Sequence, residues 1–136
     1  METVYTAVVT ATGGREGHVR SDDGIIDFNL KKPKELGGEG GATNPEQLFG
    51  AAWGACYLGA LGSVASREGV DVSAASVDTK ISFNKDGNAF VLSAALDVHI
   101  PGIAIEQAQT LAEKAHRACP YSKATRGNVE TRVTAV

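Results

Sequence analysis

Two alternating apolar–polar runs and two stretches of helical spacing predict an α+β fold. An antiparallel β-sheet carries two main helices in the order βββ-α-ββ-α-β. The first observation is the pair of runs. Val77, Thr79, Ile81 and Phe83 share one face, and so do Phe90, Leu92, Ala94, Leu96, Val98 and Ile100. The second is a long uncharged stretch introduced by Asn44-Pro45-Glu46-Gln47. That opening supplies a cap residue, a proline at the first helical position and a glutamine at the third. The third is the set Ala108, Leu111, Ala112, Ala115, Ala118 and Cys119. Its i, i+3, i+4, i+7 spacing turns Cys119 inward.

Taken in order, Val4, Thr6, Val8 and Thr10 alternate with Tyr5, Ala7 and Val9, which predicts a strand ending at the turn Gly13-Gly14. Short strands follow at His18 to Arg20 and Ile25 to Leu30, separated by Ser21-Asp22-Asp23-Gly24. The glycine-rich, mixed-charge segment 31–42 reads as an exposed loop. It does not read as a phosphate cradle, because no Gly-Lys-Ser/Thr ending follows and Glu39 would repel phosphate. The first helix is expected to run to about Arg67, with Gly69 stopping it. Asn84-Lys85-Asp86-Gly87-Asn88 joins the two alternating runs into a hairpin. The second helix is expected to start near Ile103, and Val129 to Val136 forms the last strand. No repeat or linker divides the chain, so 1–136 reads as a single domain.

Composition narrows the classes of function. With 43% apolar and 21% charged residues the chain is globular. A net charge of −3 and the absence of any Lys/Arg run argue against nucleic acid as partner. The uncharged run from Leu48 to Ala65 makes a helix about 27 Å long, short of a hydrocarbon core of roughly 30 Å. Its many glycines and alanines make it weakly apolar, so it is expected to lie within protein and not in a membrane. Met1-Glu2-Thr3-Val4-Tyr5 lacks a cationic segment before an apolar core. A reducing cytosol is therefore expected, where a transient disulfide is informative.

The chain has two cysteines, Cys56 and Cys119, each within a different helical stretch. Two readings compete. Free cysteine is among the most buried residue types, so both thiols could be ordinary core. Alternatively they form a two-cysteine redox cycle, in which one thiolate takes the oxidant and the other condenses with the product. A free thiol is only about 3% thiolate at pH 7, so an attacking cysteine needs a cation or a helix N-terminus nearby. Cys56 is mid-helix and needs a side chain, for which arginine is better suited than lysine. Cys119 ends its helix, where free carbonyls raise a thiol pKa. The asymmetry makes Cys56 the attacking thiol and Cys119 the resolving one. His116 and Cys119 form an H-x-x-C pair that with Cys56 could make a three-ligand zinc site, a weaker reading. Glu46 could simply complement the start of its helix.

Four motifs in order decide between these readings. Thr12-Gly13-Gly14-Arg15-Glu16-Gly17, Asn44-Pro45-Glu46-Gln47-Leu48-Phe49, Ala55-Cys56 and Cys119-Pro120-Tyr121-Ser122 resemble those of the organic hydroperoxide resistance (Ohr) family, within the wider OsmC superfamily. The resemblance spans nearly the whole chain. It implies an OsmC/Ohr-like fold in an intertwined homodimer, and a thiol peroxidase reducing organic hydroperoxides as part of an oxidative-stress response. By position it implies Cys56 as the peroxidatic thiol, Cys119 as the resolving thiol and Arg15 as the guanidinium that stabilises the thiolate. Glu46 would be the carboxylate holding Arg15. It implies no flavin, haem or metal cofactor, and reduction by dihydrolipoyl groups, on a lipoylated protein or dihydrolipoamide. Phe49, Trp53, Leu58 and Tyr121 could wall a pocket for a carbon chain. Alternatives are the OsmC branch with another peroxide preference, or a non-catalytic binding module with inert thiols.

Spacing adds one more expectation. Glu46 and Cys56 lie ten residues apart on one predicted helix, about 15 Å along its axis. One Arg15 cannot comfortably touch both. Two copies of this helix packed antiparallel about residue 51 would bring Glu46 of one chain level with Cys56 of the other.

Overall fold

The computed structural model describes residues 1–136. They fall into two compact units, Met1–Leu48 and Phe49–Val136. In the first, β1 (Val9–Thr12), β2 (His18–Ser21) and β3 (Asp27–Asn29) form an antiparallel sheet in the order β1-β2-β3. Short 3-10 turns stand at Gly14–Glu16 and Lys34–Leu36, the latter inside the segment expected as loop. The alternation at Val4 to Val8 does not make a strand, since β1 begins only at Val9. Of that arm the Val8 carbonyl accepts from Asp22 N at 3.0 Å, whereas Val4 and Tyr5 are 93% and 81% exposed. Leu30 is the one buried large apolar residue in this unit. Its sheet thus has no core of its own in the single chain.

Helix α1 (Pro45–Arg67) opens as the capping pattern predicts, with Gln47 N donating to Asn44 Oδ1 at 2.9 Å. Gly69, at φ 67, ends it. By length and composition alone α1 could cross a membrane. Its Trp53, Tyr57, Leu61 and Ala65, however, are buried in the protein core.

The second unit is built on a sheet of β4 (Ser76–Asp86), β5 (Ala89–His99) and β6 (Glu130–Ala135) in the order β4-β5-β6. The β4–β5 hairpin is longer than expected, and its turn shrinks to Gly87-Asn88, with Gly87 at φ 59. Strand β6 runs parallel to β5, so this sheet is mixed and not purely antiparallel. The reason is the connection. Two helices, α2 (Ile105–Ala118) and α3 (Pro120–Thr125), lie between the strands, and a crossover of that length returns the chain in the same direction. Helix α3 is an addition to the predicted order.

The core joins Trp53, Tyr57 and Leu61 of α1 to Leu96 and Val98 of β5, and to Leu111, Ala112, Ala115 and Cys119 at α2. Ala118, expected on the inward face of α2, is exposed. Tyr57 satisfies its buried hydroxyl by donating to the Ala112 carbonyl at 2.7 Å. Helix α1 reaches β4 through glycine. A Cβ on Gly54 would lie 2.8 Å from Thr79 Oγ1, and one on Gly50 would lie 3.2 Å from the Thr79 carbonyl oxygen.

Two substitutions check this packing. Leu96→Ala should cost about 2–5 kcal/mol, because a fully buried side chain leaves a cavity. Gly54→Ala should destabilise by about 1–3 kcal/mol although alanine is the better helix former. Urea unfolding midpoints at unchanged slope measure both. A stabilised Gly54→Ala protein would mean that α1 and β4 are not in close contact.

Candidate active site

Arg15 is presented by a turn that only glycine can make. Gly13 and Gly14 take φ 69 and 61, and a Cβ on Gly17 would stand 1.8 Å from the Thr12 carbonyl oxygen. Between them Gly14–Glu16 forms one 3-10 turn. The guanidinium meets Glu46, in the first turn of α1, in a two-pronged pair. Nη1 donates to Oε2 at 2.9 Å and Nη2 to Oε1 at 2.6 Å. Such fork-to-fork pairs are the strong kind of ion pair, since both charges also make directed hydrogen bonds. The Glu46 carboxyl is held below the usual carboxylate range, first by the hydrogen bond from Arg15. Arg15 is raised in turn, first by its hydrogen bond to Glu46. The stability that this pair contributes is therefore present above the 4.5 of a free carboxyl and lost as pH falls through the depressed folded value.

Cys56 and Cys119 form the second pair. Both are free thiols, with their Sγ atoms 3.8 Å apart. They differ in access. Cys119 is fully buried, whereas Cys56 is half-buried. Only Cys56 offers a path to an incoming molecule. Burial pushes the Cys56 thiol up, Cys119 adds to the rise, and the Tyr121 backbone N–H opposes it.

The helix-end argument for Cys119 needs correction. Cys119 closes α2, where its N–H reaches the Ala115 carbonyl at 2.8 Å, but it also caps the start of α3. Carbonyls of one helix and amides of the next meet at this residue. The dipole argument therefore does not separate the two thiols, and exposure takes its place.

The expected pocket residues divide. Trp53 is completely buried, so it belongs to the core behind the thiols and not to an open wall. Phe49 packs edge-on against it, with ring centroids 5.6 Å apart, and is half-buried. Leu58 is half-buried and Tyr121 is exposed. His116 does not turn to the thiols as a ligand would. Its Nδ1 lies 2.9 Å from Ser122 Oγ. Sequence reasoning passed over Ser122 except as a motif letter. The available signal was a small polar residue directly after Cys119-Pro120-Tyr121, on the first turn of α3.

Comparison with known proteins gives this arrangement a family. The family described as OsmC-like protein matches residues 38–134. The organic hydroperoxide resistance protein of Xanthomonas axonopodis pv. citri is 44% identical over 133 residues, spanning 96% of this chain and 94% of that protein. The organic hydroperoxide resistance protein OhrB of Bacillus subtilis is 43% identical over 134 residues, spanning 96% of both. The crystal structure of OhrB superposes with a TM-score of 0.90, covering 98% of this chain and 100% of that one. A structure of an organic hydroperoxide resistance protein from Elizabethkingia anophelis does so at 0.91 with 44% identity, covering 99% and 98%. The chain belongs to the organic hydroperoxide resistance proteins of the OsmC-like family.

Proposed function

We propose that this protein is a cysteine-based peroxidase that reduces organic hydroperoxides to alcohols and so takes part in resistance to them. The observation that carries the reading is the pair of free thiols 3.8 Å apart, one accessible and one buried. The thiolate of Cys56 attacks the distal oxygen of R–OOH. The O–O bond breaks, the alkoxide leaves as R–OH after taking a proton, and Cys56 is left as a sulfenic acid. Cys119 then condenses with it, releasing water and forming a disulfide. An external dithiol, a dihydrolipoyl group on a protein or dihydrolipoamide, accepts the oxidising equivalents and restores both thiols. No metal or bound cofactor enters the scheme. A cytosolic setting suits thiols that must return to the reduced state.

Burial alone keeps Cys56 protonated, so the scheme needs a cation at the sulfur. Arg15, oriented by Glu46, is the group for that task, and the leaving oxygen would meet the same guanidinium. Phe49 and Tyr121, with Leu58, supply apolar surface for an alkyl or lipid chain.

The active unit in this reading is a homodimer with shared sites. Glu46 and Cys56 are about 15 Å apart on α1, a continuous helix. Gln47, Ala51 and Ala55 are exposed at four-residue spacing on one face of α1, symmetric about residue 51, and the two alanines are small. An antiparallel copy packed there would approach closely, centred near residue 51, and set Arg15–Glu46 of one chain beside Cys56 of the other. The exposed apolar arm at Val4, Tyr5 and Val8, and the coreless sheet of the first unit, are further surface that a second chain would cover.

Three outcomes are expected. With one equivalent of cumene hydroperoxide, Cys56→Ser should not react, while Cys119→Ser should stop at a trappable sulfenic acid. Loss of the first oxidation in Cys119→Ser but not in Cys56→Ser would reverse the roles.

Arg15→Ala should slow the first oxidation by at least about tenfold at pH 7. The reason is that burial pushes the Cys56 thiol up, so without the guanidinium little of it is thiolate at neutral pH. Raising the pH should restore part of the rate. A deficit independent of pH would mean that Arg15 positions the peroxide without ionising the thiol.

Mixing Cys56→Ser with Glu46→Ala protein under subunit exchange should recover activity, since each heterodimer regains one intact site. A mixture that stays inactive would mean sites built within single chains.

A further inference from the structure

Behind the two thiols runs a hydrogen-bonded chain that touches neither reacting sulfur. Trp53 Nε1 donates to Ser122 Oγ at 3.0 Å, and Ser122 Oγ lies 2.9 Å from His116 Nδ1. The three residues come from three helices. Trp53 stands on α1 one turn before Cys56, Ser122 on α3 three residues after Cys119, and His116 in the last turn of α2. Trp53 and Ser122 are fully buried, so neither can exchange its partner for water.

Counting hydrogens fixes the direction of the chain. The indole N–H can only donate, so it takes one lone pair of Ser122 Oγ. The serine hydroxyl hydrogen then needs an acceptor, and His116 Nδ1 is the one within reach. Nδ1 must therefore be bare and the imidazole neutral, with its proton on Nε2. Protonating His116 would set two donors against each other and strand the hydroxyl hydrogen in a buried place.

The chain has a consequence for the cysteines. The Sγ atoms stand 3.8 Å apart, and a disulfide requires about 2.05 Å, so Cys119 has to close the remaining gap from a defined starting point. That starting point depends on where α3 and the end of α2 rest against α1. We propose that Ser122 and His116 are positioning residues for disulfide formation: the Trp53–Ser122–His116 chain holds the Cys119–Tyr121 segment against α1, and it does so while His116 is neutral. This rests on the peroxidase reading above. The step affected is the attack of the Cys119 sulfur on the Cys56 sulfenic sulfur. An S–S bond forms, the S–O bond breaks, and hydroxide leaves as water with the proton from Cys119.

Other groups around His116 act in the same direction or stay silent. Burial favours the neutral ring, and the positive charges of Arg126, after α3, and Arg117, on α2, favour it further. Arg126 also donates to the His116 carbonyl at 3.0 Å. From α1, Cys56 and Tyr57 face this region with their pKa values pushed up, away from the titration of an imidazole. Lys123 and Tyr121 are the ionisable residues of α3. The chain is thus complete above the 6.5 of a free imidazole and comes apart as pH falls through the lowered value.

The test times the two steps separately in the full-length protein after one equivalent of cumene hydroperoxide. A sulfenic-acid trap reads the first step, and intact mass reads disulfide formation. Both are followed above and below the 6.5 of a free imidazole. All thiol attack slows in acid as thiolate is consumed, and wild type should show an additional fall in condensation as pH drops through the lowered value of His116, beneath that of a free imidazole. Ser122→Ala should leave the first oxidation unchanged and slow condensation roughly tenfold through misplacement of Cys119. His116→Asn, whose Oδ1 can accept where Nδ1 did and which does not titrate, should condense near the wild-type rate and lose the additional fall. Condensation at the wild-type rate in Ser122→Ala, or an unchanged acid profile in His116→Asn, would overturn the proposal. If Ser122→Ala does not fold, the His116→Asn profile decides by itself. A wild type that forms no disulfide would instead sink the peroxidase reading.

Discussion

The close approach of α1 to the sheet at Gly50 and Gly54 sets the position of much else in the second unit. A methyl group at Gly54 would run into Thr79 Oγ1, so glycine lets the helix axis settle against β4 at this point. Trp53, Tyr57 and Leu61 then descend into one core with β5 and α2. Cys56 sits one turn beyond Trp53, at the rim of that core and not inside it. Its half-burial follows from the helix phase. Trp53 and Tyr57 mark the buried stripe, and Cys56 falls beside it.

The opposing thiol is held by a different device. Cys119 occupies the joint where α2 ends and α3 begins, so its backbone serves two helices at once. Pro120 starts α3 without needing the amide that a helix leaves unpaired at that position. The joint turns the chain so that the Cys119 sulfur faces α1 and the Tyr121 amide is directed at Cys56. The buried hydroxyl of Ser122 and the indole of Trp53 tie the same joint to α1 with a polar contact, which has a sharper geometric preference than apolar packing.

In the first unit the ordering principle is charge geometry on a glycine turn. Gly13, Gly14 and Gly17 bend the backbone so tightly that Arg15 projects from a single 3-10 turn, and Glu46 receives both prongs of its guanidinium. An arginine held in this way keeps its charge and loses much of its conformational freedom. The sheet beside it buries little, so the turn and the ion pair, not a hydrophobic core, give this unit its local definition.

How much of this was legible follows the range of the interactions involved. The bounds of α1 could be read from Asn44-Pro45 and Gly69 because caps are local chemistry. The β4–β5 hairpin could be read from alternation around Gly87. The two cysteines, Arg15 and Glu46 could be picked out through motifs, although nothing in their spacing shows that Nη1 and Nη2 grip Glu46 with two hydrogen bonds. Helix α3 escaped because six residues are too few for helical periodicity, and its sole local mark was a proline after Cys119. The parallel direction of β6 escaped because strand pairing is decided by the path of the crossover and not by the strand's own residues. The Val4–Val8 alternation promised a strand, but the paired strand begins only at Val9. By itself, then, the sequence determined α1 and α2, the hairpin and the candidate residue types, since propensity, capping and periodicity act within a few residues. Only the tertiary structure decided that Cys119 is sealed while Cys56 is reachable, and that Trp53 is core. Burial is a property of what packs on a side chain from distant parts of the chain, which no local pattern encodes.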